Sequence, residues 1–343
     1  MVRVGLIGYG YWGPNLVRNF SEAGGSEIAA VSDLQPDRLA KVKSRYPTVH
    51  TTTDYHDLLD DDSIDAIAIV TPVSTHFDLA RQALEAGKHV FVEKPLAETT
   101  AQAAWLVDEA RRRKRVLMVD HTFVYTSAVQ KIRELVAGNH LGKIYYYDSV
   151  RVNLGLFQHD VNVLWDLAVH DLAIIDYVFG GLTPSALSAT GMSHVPGQPE
   201  NIAYLTLFFP ENLIAHIHVN WLAPVKIRRT LVGGSKKMIV YDDLEPSEKV
   251  KVYDKGITVG NSLEKVYRLL IHYRAGDMWA PQLEMNEALQ QEVAQFIQCI
   301  EQGRQPITDG EAGLRVVRIL EAAAESLSRQ GTLVSLQARR MAA

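Results

Sequence analysis

Over roughly the first third of the chain, short apolar runs alternate with segments whose apolar residues recur at helical spacing. Val2–Ile7, Ile28–Asp33, Ala66–Val70, His89–Glu93 and Val116–Val119 read as strands, and Pro36–Tyr46, Asp54–Leu59, Thr75–Ala86 and Thr99–Lys114 as helices. Such alternation predicts a doubly wound parallel sheet with helices on both faces and a ligand crevice at the carboxyl ends of its strands. After residue 120 the rhythm changes. Helical patterns at Ala128–Val136 and Val163–Phe179 flank a strand at Ile144–Val152. Strand patterns then follow closely at Ser185–Ser193, Ile202–Phe209, Ile214–Trp221, Ile227–Val232 and Lys237–Tyr241, before helices at Gln282–Glu301 and Asp309–Ser328. This run predicts a large, mostly antiparallel open sheet. The reading is therefore an α/β chain in two domains, 1–120 and 121–343. Helices can cover only one face of the second sheet, so its other face is expected to meet a further copy, giving a homodimer or homotetramer.

Composition narrows the classes. A chain of 343 residues is too long for one ordinary core. Its 47% hydrophobic and 22% charged residues are ordinary globular usage and argue against disorder. The net charge of −5 and the position of the basic run Arg111–Arg115 at a helix end, where cations suit the dipole, argue against a nucleic-acid partner. With Cys299 as the single cysteine there is no intrachain disulfide and no thiolate metal cage, and no metal-ligand spacing is seen elsewhere. Met1 runs directly into the first strand and no apolar run approaches membrane-spanning length, so a cytoplasmic protein without a membrane partner is expected.

The chemistry begins at Gly8-Tyr9-Gly10-Tyr11-Trp12-Gly13, which leaves the first strand and enters a helix. In such a loop Gly8 permits the tight turn, Gly10 has no Cβ to block a pyrophosphate, and Gly13 lets helix and strand approach. The second strand ends in Asp33, 20 residues after Gly13 (33 − 13), where a carboxylate accepts from ribose hydroxyls and repels a 2′-phosphate. The expected cofactor is therefore NAD rather than NADP, with Arg38 the one nearby cation that tempers this. Further strand ends at Thr71-Pro72-Val73-Ser74-Thr75-His76 and Glu93-Lys94-Pro95 point at the same crevice. Tyr11, Trp12, Thr71, Pro72, His76, Glu93 and Lys94 thus join the glycines and Asp33 as candidate cofactor contacts. Pro95 forces Lys94 into an extended backbone and permits a cis bond there. In the second domain, Asp166 and His170 lie four apart on one helical face, so the carboxylate can orient the imidazole and support its cation. Taken alone, such a pair serves structure more often than catalysis. Asp171, on an adjacent position, is expected to face elsewhere.

Together the N-terminal glycine loop, Glu93-Lys94-Pro95 and Asp166-x-x-x-His170 resemble the glucose-fructose oxidoreductase / inositol dehydrogenase / rhizopine-catabolism (Gfo/Idh/MocA) family over essentially the whole chain. The resemblance implies a Rossmann domain, a C-terminal α/β domain used in oligomers, NAD(P)-dependent chemistry on a sugar or cyclitol, and Lys94, Asp166 and His170 as the catalytic set. It also implies that groups from both domains meet over the nicotinamide, with His170 or Lys94 as the base. Many relatives carry an arginine where this chain has Asp120-His121-Thr122-Phe123-Val124-Tyr125. The stretches Tyr145–Asp166 and Tyr273–Pro281 resemble a subgroup associated with surface polysaccharide and UDP-hexosamine metabolism. Its implied reaction is oxidation of a ring hydroxyl, the 3-hydroxyl, of a UDP-N-acetylhexosamine. Arg151, Lys226, Arg228, Arg229 and Arg274 are then candidates for the diphosphate, and Tyr125, Asn153, Asn162 and Trp165 for the sugar. The alternatives are an inositol, polyol or free-aldose dehydrogenase and, in other classes, an NAD-dependent glycosidase or a non-catalytic NAD sensor.

Overall fold

The computed structural model describes residues 1–155, 161–254, 256–259, 271–274 and 276–336, with the backbone alone for 256–259 and 271–274. The chain divides into two units: Met1–Thr126 with Asn286–Glu321, and Ser127–Met285 with Ala322–Ala343.

In chain order, the first part contributes strands β1 (Val2–Ile7), β2 (Ser26–Ser32), β3 (His50–Thr52), β4 (Ala66–Ile69), β5 (His89–Glu93) and β6 (Leu117–Asp120). Between them run helices α1 (Gly13–Glu22), α2 (Pro36–Arg45), α3 (His56–Leu59), α4 (Val73–Glu85) and α5 (Thr100–Arg113). All six strands are parallel, in the order β3-β2-β1-β4-β5-β6. Central β4, Ala-Ile-Ala-Ile, is buried throughout because both its faces are covered by helices, which is why its apolar run is continuous rather than alternating. The reversal of strand order between β1 and β4 opens the ligand crevice of a Rossmann fold.

The chain continues with α6 (Ser127–Ala137), β7 (Ile144–Leu154), a π turn at Leu164–Ala168 and α7 (Val169–Val178). Next come β8 (Ala186–Met192), β9 (Ile202–Phe208), β10 (Ile214–Asn220), β11 (Leu222–Gly234), β12 (Met238–Asp242), β13 (Val250–Tyr253), β14 (Gly256–Val259), β15 (Ile271–Arg274) and β16 (Met278–Trp279). Helices α8 (Ala288–Gln302) and α9 (Gly310–Ser328) and strand β17 (Val334–Ser335) complete it. Nine of these strands form one sheet in the order β16-β13-β12-β11-β7-β10-β9-β8-β17, and β14 and β15 pair by themselves. Every pairing in the large sheet is antiparallel except β7 with β10.

Alternation along β9 and β10 assigns the two faces of that sheet. Ala203, Leu205, Leu207, Ala215, Ile217 and Val219 are fully buried, whereas Tyr204, Phe208 and Ile214 between them are 40%, 37% and 41% exposed. α7 lies on the buried side, where Asp171 accepts from Arg151 Nε of β7 at 2.7 Å.

Two expectations shift. The helix expected from Gln282 begins at Ala288, and residues 286–321 pack with the first unit although they fall within 121–343. The physical reason is aromatic: Phe296 of α8 meets Phe20 and Phe91 edge-on, with centroids 6.2 and 5.5 Å away, each such contact adding about 0.5–1.5 kcal/mol beyond area burial. Ahead of that helix, Glu287 pairs with Arg18 and accepts from Asn19 of α1. Among the described residues no helix is long and apolar enough to cross a membrane.

Candidate active site

Each glycine of the first loop serves a different need. Gly8 has φ +98°, and a Cβ there would lie 2.3 Å from the Val70 carbonyl oxygen, so a side chain is excluded by both strain and space. A Cβ on Gly13 would lie 2.7 Å from the Gly8 oxygen, which is the close approach of helix to strand. Around Gly10 the space is open, with Arg38 Nη1 the nearest atom at 3.9 Å. Packing therefore does not require glycine at position 10, whereas backbone contact with a ligand does.

Beside this loop lies a cavity of about 630 Å³, within the range of a cofactor site. Gly8, Gly10, Tyr11, Asp33, Thr71 and Pro72 line it as the sequence leads one to expect, and Tyr11 is almost fully exposed. Asp33 is buried at the end of β2. Its Oδ2 accepts from Tyr9 N–H at 2.7 Å and from Arg38 Nη1 at 3.2 Å, and its Oδ1 from Gln35 N–H at 2.8 Å. A carboxylate offers about four acceptor positions, so one remains for a ribose hydroxyl. The open Gly10 backbone, the cavity volume and the residual acceptor on Asp33 all fit a dinucleotide. Arg38, Gln35 and Tyr55 also line the cavity, and Tyr55 is tied to Gln82 of α4. Only Arg38 had a signal in the sequence, its nearness to Asp33.

Trp12, Gly13, His76, Glu93 and Lys94 fall outside that lining. The Trp12 indole donates to Asp120 Oδ2 at 2.7 Å, fastening the glycine loop to the end of β6. His76, expected at the cofactor, is buried instead: its Nδ1 lies 2.8 Å from the Pro95 carbonyl oxygen and its Nε2 2.8 Å from that of Thr71. Burial, joined by the charge of Lys94, pushes its imidazolium below the usual range, against the pull of the two carbonyls. The face Val73, His76, Leu79, Ala80, Ala83 was the signal in the sequence, since its helical spacing turns His76 to the core.

Lys94 follows β5 and is half-buried, and its peptide bond to Pro95 is cis. Glu93 is registered opposite Asp120 across β5 and β6. Around this strand end, burial and the Lys94 charge hold His121 down at about 3, so that ring is neutral at physiological pH. Burial raises Asp120, although its bonds from Thr122 and Trp12 and the charge of Lys94 work the other way. Glu292 of α8, fully buried, is raised well above the ordinary carboxylate value by burial and then by the charge of Asp120, a shift that favours its neutral form.

In the second unit Asp166 lies within the π turn and His170 in the first turn of α7, both half-buried. Their four-residue spacing thus crosses a π turn, a widening often found at functional sites, rather than regular α geometry. Asp166 Oδ2 accepts from the Trp221 indole at 3.0 Å. Asn162 opens this segment, its Oδ1 accepting from Leu164 N–H at 3.1 Å and Trp165 N–H at 3.4 Å while its Nδ2 donates to Glu200 at 3.1 Å. Trp165 and Asn153 are half-buried. Asp171 turns away from the pair, as adjacent helix positions must.

Two expected substrate contacts are committed elsewhere. Arg151 is buried against Asp171, with side chains 5% and 2% exposed, and is therefore a structural cation of the second unit rather than a surface contact for a diphosphate. Tyr125 is buried in the first unit, donating to Gln295 at 2.8 Å with Thr308 Oγ1 at 3.2 Å, which removes its hydroxyl from a sugar pocket. Arg228 pairs with Asp243 at 3.1 Å, while Lys226 and Arg229 are exposed. The Arg274 side chain lies outside the described residues, as do residues 156–160 and 275 within the stretches that resemble the UDP-hexosamine subgroup. Among the described residues no group of three His, Cys, Asp or Glu side chains can hold a metal ion.

Comparison with known proteins agrees with this geometry. Residues 2–121 match the model of an oxidoreductase family with an NAD-binding Rossmann fold, and residues 133–336 that of the same family's C-terminal alpha/beta domain. The chain is 33% identical over 262 residues to the uncharacterized oxidoreductase YdgJ of Escherichia coli (strain K12), covering 72% of this chain and 73% of that one. It is 28% identical over 325 residues to UDP-N-acetylglucosamine 3-dehydrogenase of Acidithiobacillus ferrooxidans (92% and 94%). A solved structure of that enzyme, GnnA, aligns with a TM-score of 0.81 at 25% identity, covering 95% of this chain and 98% of the other. Myo-inositol 2-dehydrogenase of Thermotoga maritima is 23% identical over 346 residues (96% and 97%). The glycine cradle, the parallel sheet that carries it and the match over both units place the chain in the Gfo/Idh/MocA oxidoreductase family.

Proposed function

We propose that the protein is an NAD-dependent dehydrogenase that oxidises a ring hydroxyl, the 3-hydroxyl, of a UDP-N-acetylhexosamine. The observation that carries the oxidoreductase reading is the first unit's cradle: open backbone at Gly10, an anchored Asp33 with one acceptor left, and a lysine at the end of β5 in the same sheet. The substrate class is supported by the near full-length similarity to UDP-N-acetylglucosamine 3-dehydrogenase. Similarity to myo-inositol 2-dehydrogenase supports the second reading, a cyclitol or polyol dehydrogenase using the same residues.

When bound, NAD supplies the hydride acceptor. Oxidation of a carbinol also requires a proton acceptor at the hydroxyl and a counter-charge for the oxygen as negative charge builds there. In this proposal His170 takes the proton through its imidazole, Asp166 orients it and supports the resulting cation, and the Lys94 ammonium stabilises the oxygen. Trp221, donating to Asp166, holds that carboxylate in place. Asp33 would favour NAD over NADP by repelling a 2′-phosphate, a preference that Arg38 beside it moderates.

The test is NADH formation across UDP-hexosamines, inositols and free aldoses. UDP-N-acetylhexosamine turnover is expected to exceed the others, whereas turnover confined to inositols would transfer the reading to the polyol class. His170→Ala should lower kcat by about 10²–10⁴-fold with NAD affinity little changed, and near-normal turnover would remove His170 from the mechanism.

A further inference from the structure

We infer that His76, which lies outside the cofactor cavity lining, is a positioning residue for Lys94. Its imidazole joins two loops of the first unit that bear on the chemistry. One is the Thr71-Pro72 turn, which lines the dinucleotide cavity, and the other is the Lys94-Pro95 turn after β5.

The geometry excludes other roles for this ring. It is 1% exposed, so it cannot meet a substrate proton, and both its nitrogens face carbonyl oxygens at 2.8 Å. Neither nitrogen therefore has a lone pair directed at a reacting group. What the ring can do is fix distance. Its single N–H, in the neutral ring, donates to one of the two carbonyls, Thr71 O at the end of the β4 turn or Pro95 O next to Lys94, and the ring packs between both and sets their separation. Each loop is separately stiff. On one side Thr75 donates its backbone N–H to Pro72 O at 3.0 Å, and its hydroxyl lies 2.7 Å from that of Thr71. On the other, β5 is locked between β4 and β6. The imidazole is the polar strut between them, and the apolar neighbours of His76 on α4 keep it from rotating out.

A side chain that ends in an ammonium has several rotatable bonds, so its usefulness depends on how well its backbone is held. An error of about 1 Å at a catalytic group can cost about 10²-fold in rate. Removing the strut should therefore show up in what Lys94 does before it shows up in cofactor binding. This inference rests on the proposed role of Lys94, but its first readout does not require turnover.

The experiment compares His76→Leu, which has no polar group, and His76→Asn, which keeps an N–H to donate to one of the two carbonyls. Lys94 acetylation by acetic anhydride, read by mass spectrometry against exposed Lys41, should change several-fold in His76→Leu and less in His76→Asn. With a sugar that reduces NAD, kcat should fall by about tenfold or more in His76→Leu, while KM for NAD stays within about threefold of wild type. In a Lys94→Ala background the same substitution should have little further effect, because the loss passes through Lys94. Unchanged Lys94 labelling in both variants, or an equal factor lost with and without Lys94, overturns the inference and leaves His76 as a core residue only. If His76→Leu does not fold, His76→Asn carries both measurements. Should none of the sugars be a substrate, the labelling still decides the matter, so its failure and that of the functional reading are told apart.

Discussion

In the proposed reading, cofactor choice turns on Asp33. Its carboxylate already accepts two backbone N–H groups and the Arg38 guanidinium, so it is held in one orientation in the lining of the cavity. Asp33→Ala should relax the preference for NAD over NADP, measured as the ratio of kcat/KM for the two, and a wild type already preferring NADP would show the ribose contact to be misread. Glu292 makes a different prediction. Its folded carboxyl titrates well above the unfolded value of 4.5, so the folded state binds the extra proton and stability falls as pH rises above 4.5 toward the folded value. Glu292→Gln should remove that fall and raise the thermal midpoint at neutral pH, with a gain that shrinks as the pH is lowered toward 4.5. An equal shift at every pH would contradict the assignment. Local backbone needs were legible in the sequence: Gly8 stands at a tight turn, Gly13 at a close approach, and Asp33 just after β2 in the cavity lining. Tyr125 and Arg151 were misplaced because polar groups satisfied by distant chain segments, Gln295 and Asp171, leave no mark near themselves.

At the scale of elements, long periodic segments were legible and short ones were not. β1 and β5 fall where the apolar runs put them, whereas β3, β16 and β17, of two or three residues at or next to sheet edges, have too few positions for a pattern to show. The Val163–Phe179 helix was legible as a helix, but its opening π turn was not, since a widened turn follows from packing and not from periodicity. α7 is anchored through the buried Arg151–Asp171 pair on the position next to His170. Asp171→Asn would leave a guanidinium buried without its counter-charge, and should destabilise the second unit by about 3–5 kcal/mol in urea unfolding. Replacing both partners with apolar residues should cost less. A loss under 1 kcal/mol for Asp171→Asn would mean that the pair is dispensable, a threshold set by the roughly 0–1 kcal/mol of exposed pairs.

For the whole molecule, the open face of the nine-stranded sheet remains to be accounted for. Phe208, Ile214 and Tyr146 form one row across neighbouring strands, and Tyr204 and His218 stack in another with centroids 4.5 Å apart. We propose that this face joins copies of the chain in a homodimer or homotetramer, since apolar rows of this extent favour burial. Ile214→Asp should lower the mass measured by light scattering, and an unchanged mass would place any interface elsewhere. The division into a nucleotide-binding part and a second sheet was visible in the change of rhythm after residue 120. The return of α8 to the first unit was not, because Phe296 finds its partners more than 200 residues earlier (296 − 91 = 205). The most direct test of the account is a single turnover with UDP-N-acetylglucosamine deuterated at C3, followed by NMR of the reduced cofactor. The account predicts deuterium on C4 of the nicotinamide in the wild type and little in Lys94→Ala or His170→Ala. Unlabelled reduced cofactor, or equal label in all three proteins, would contradict it.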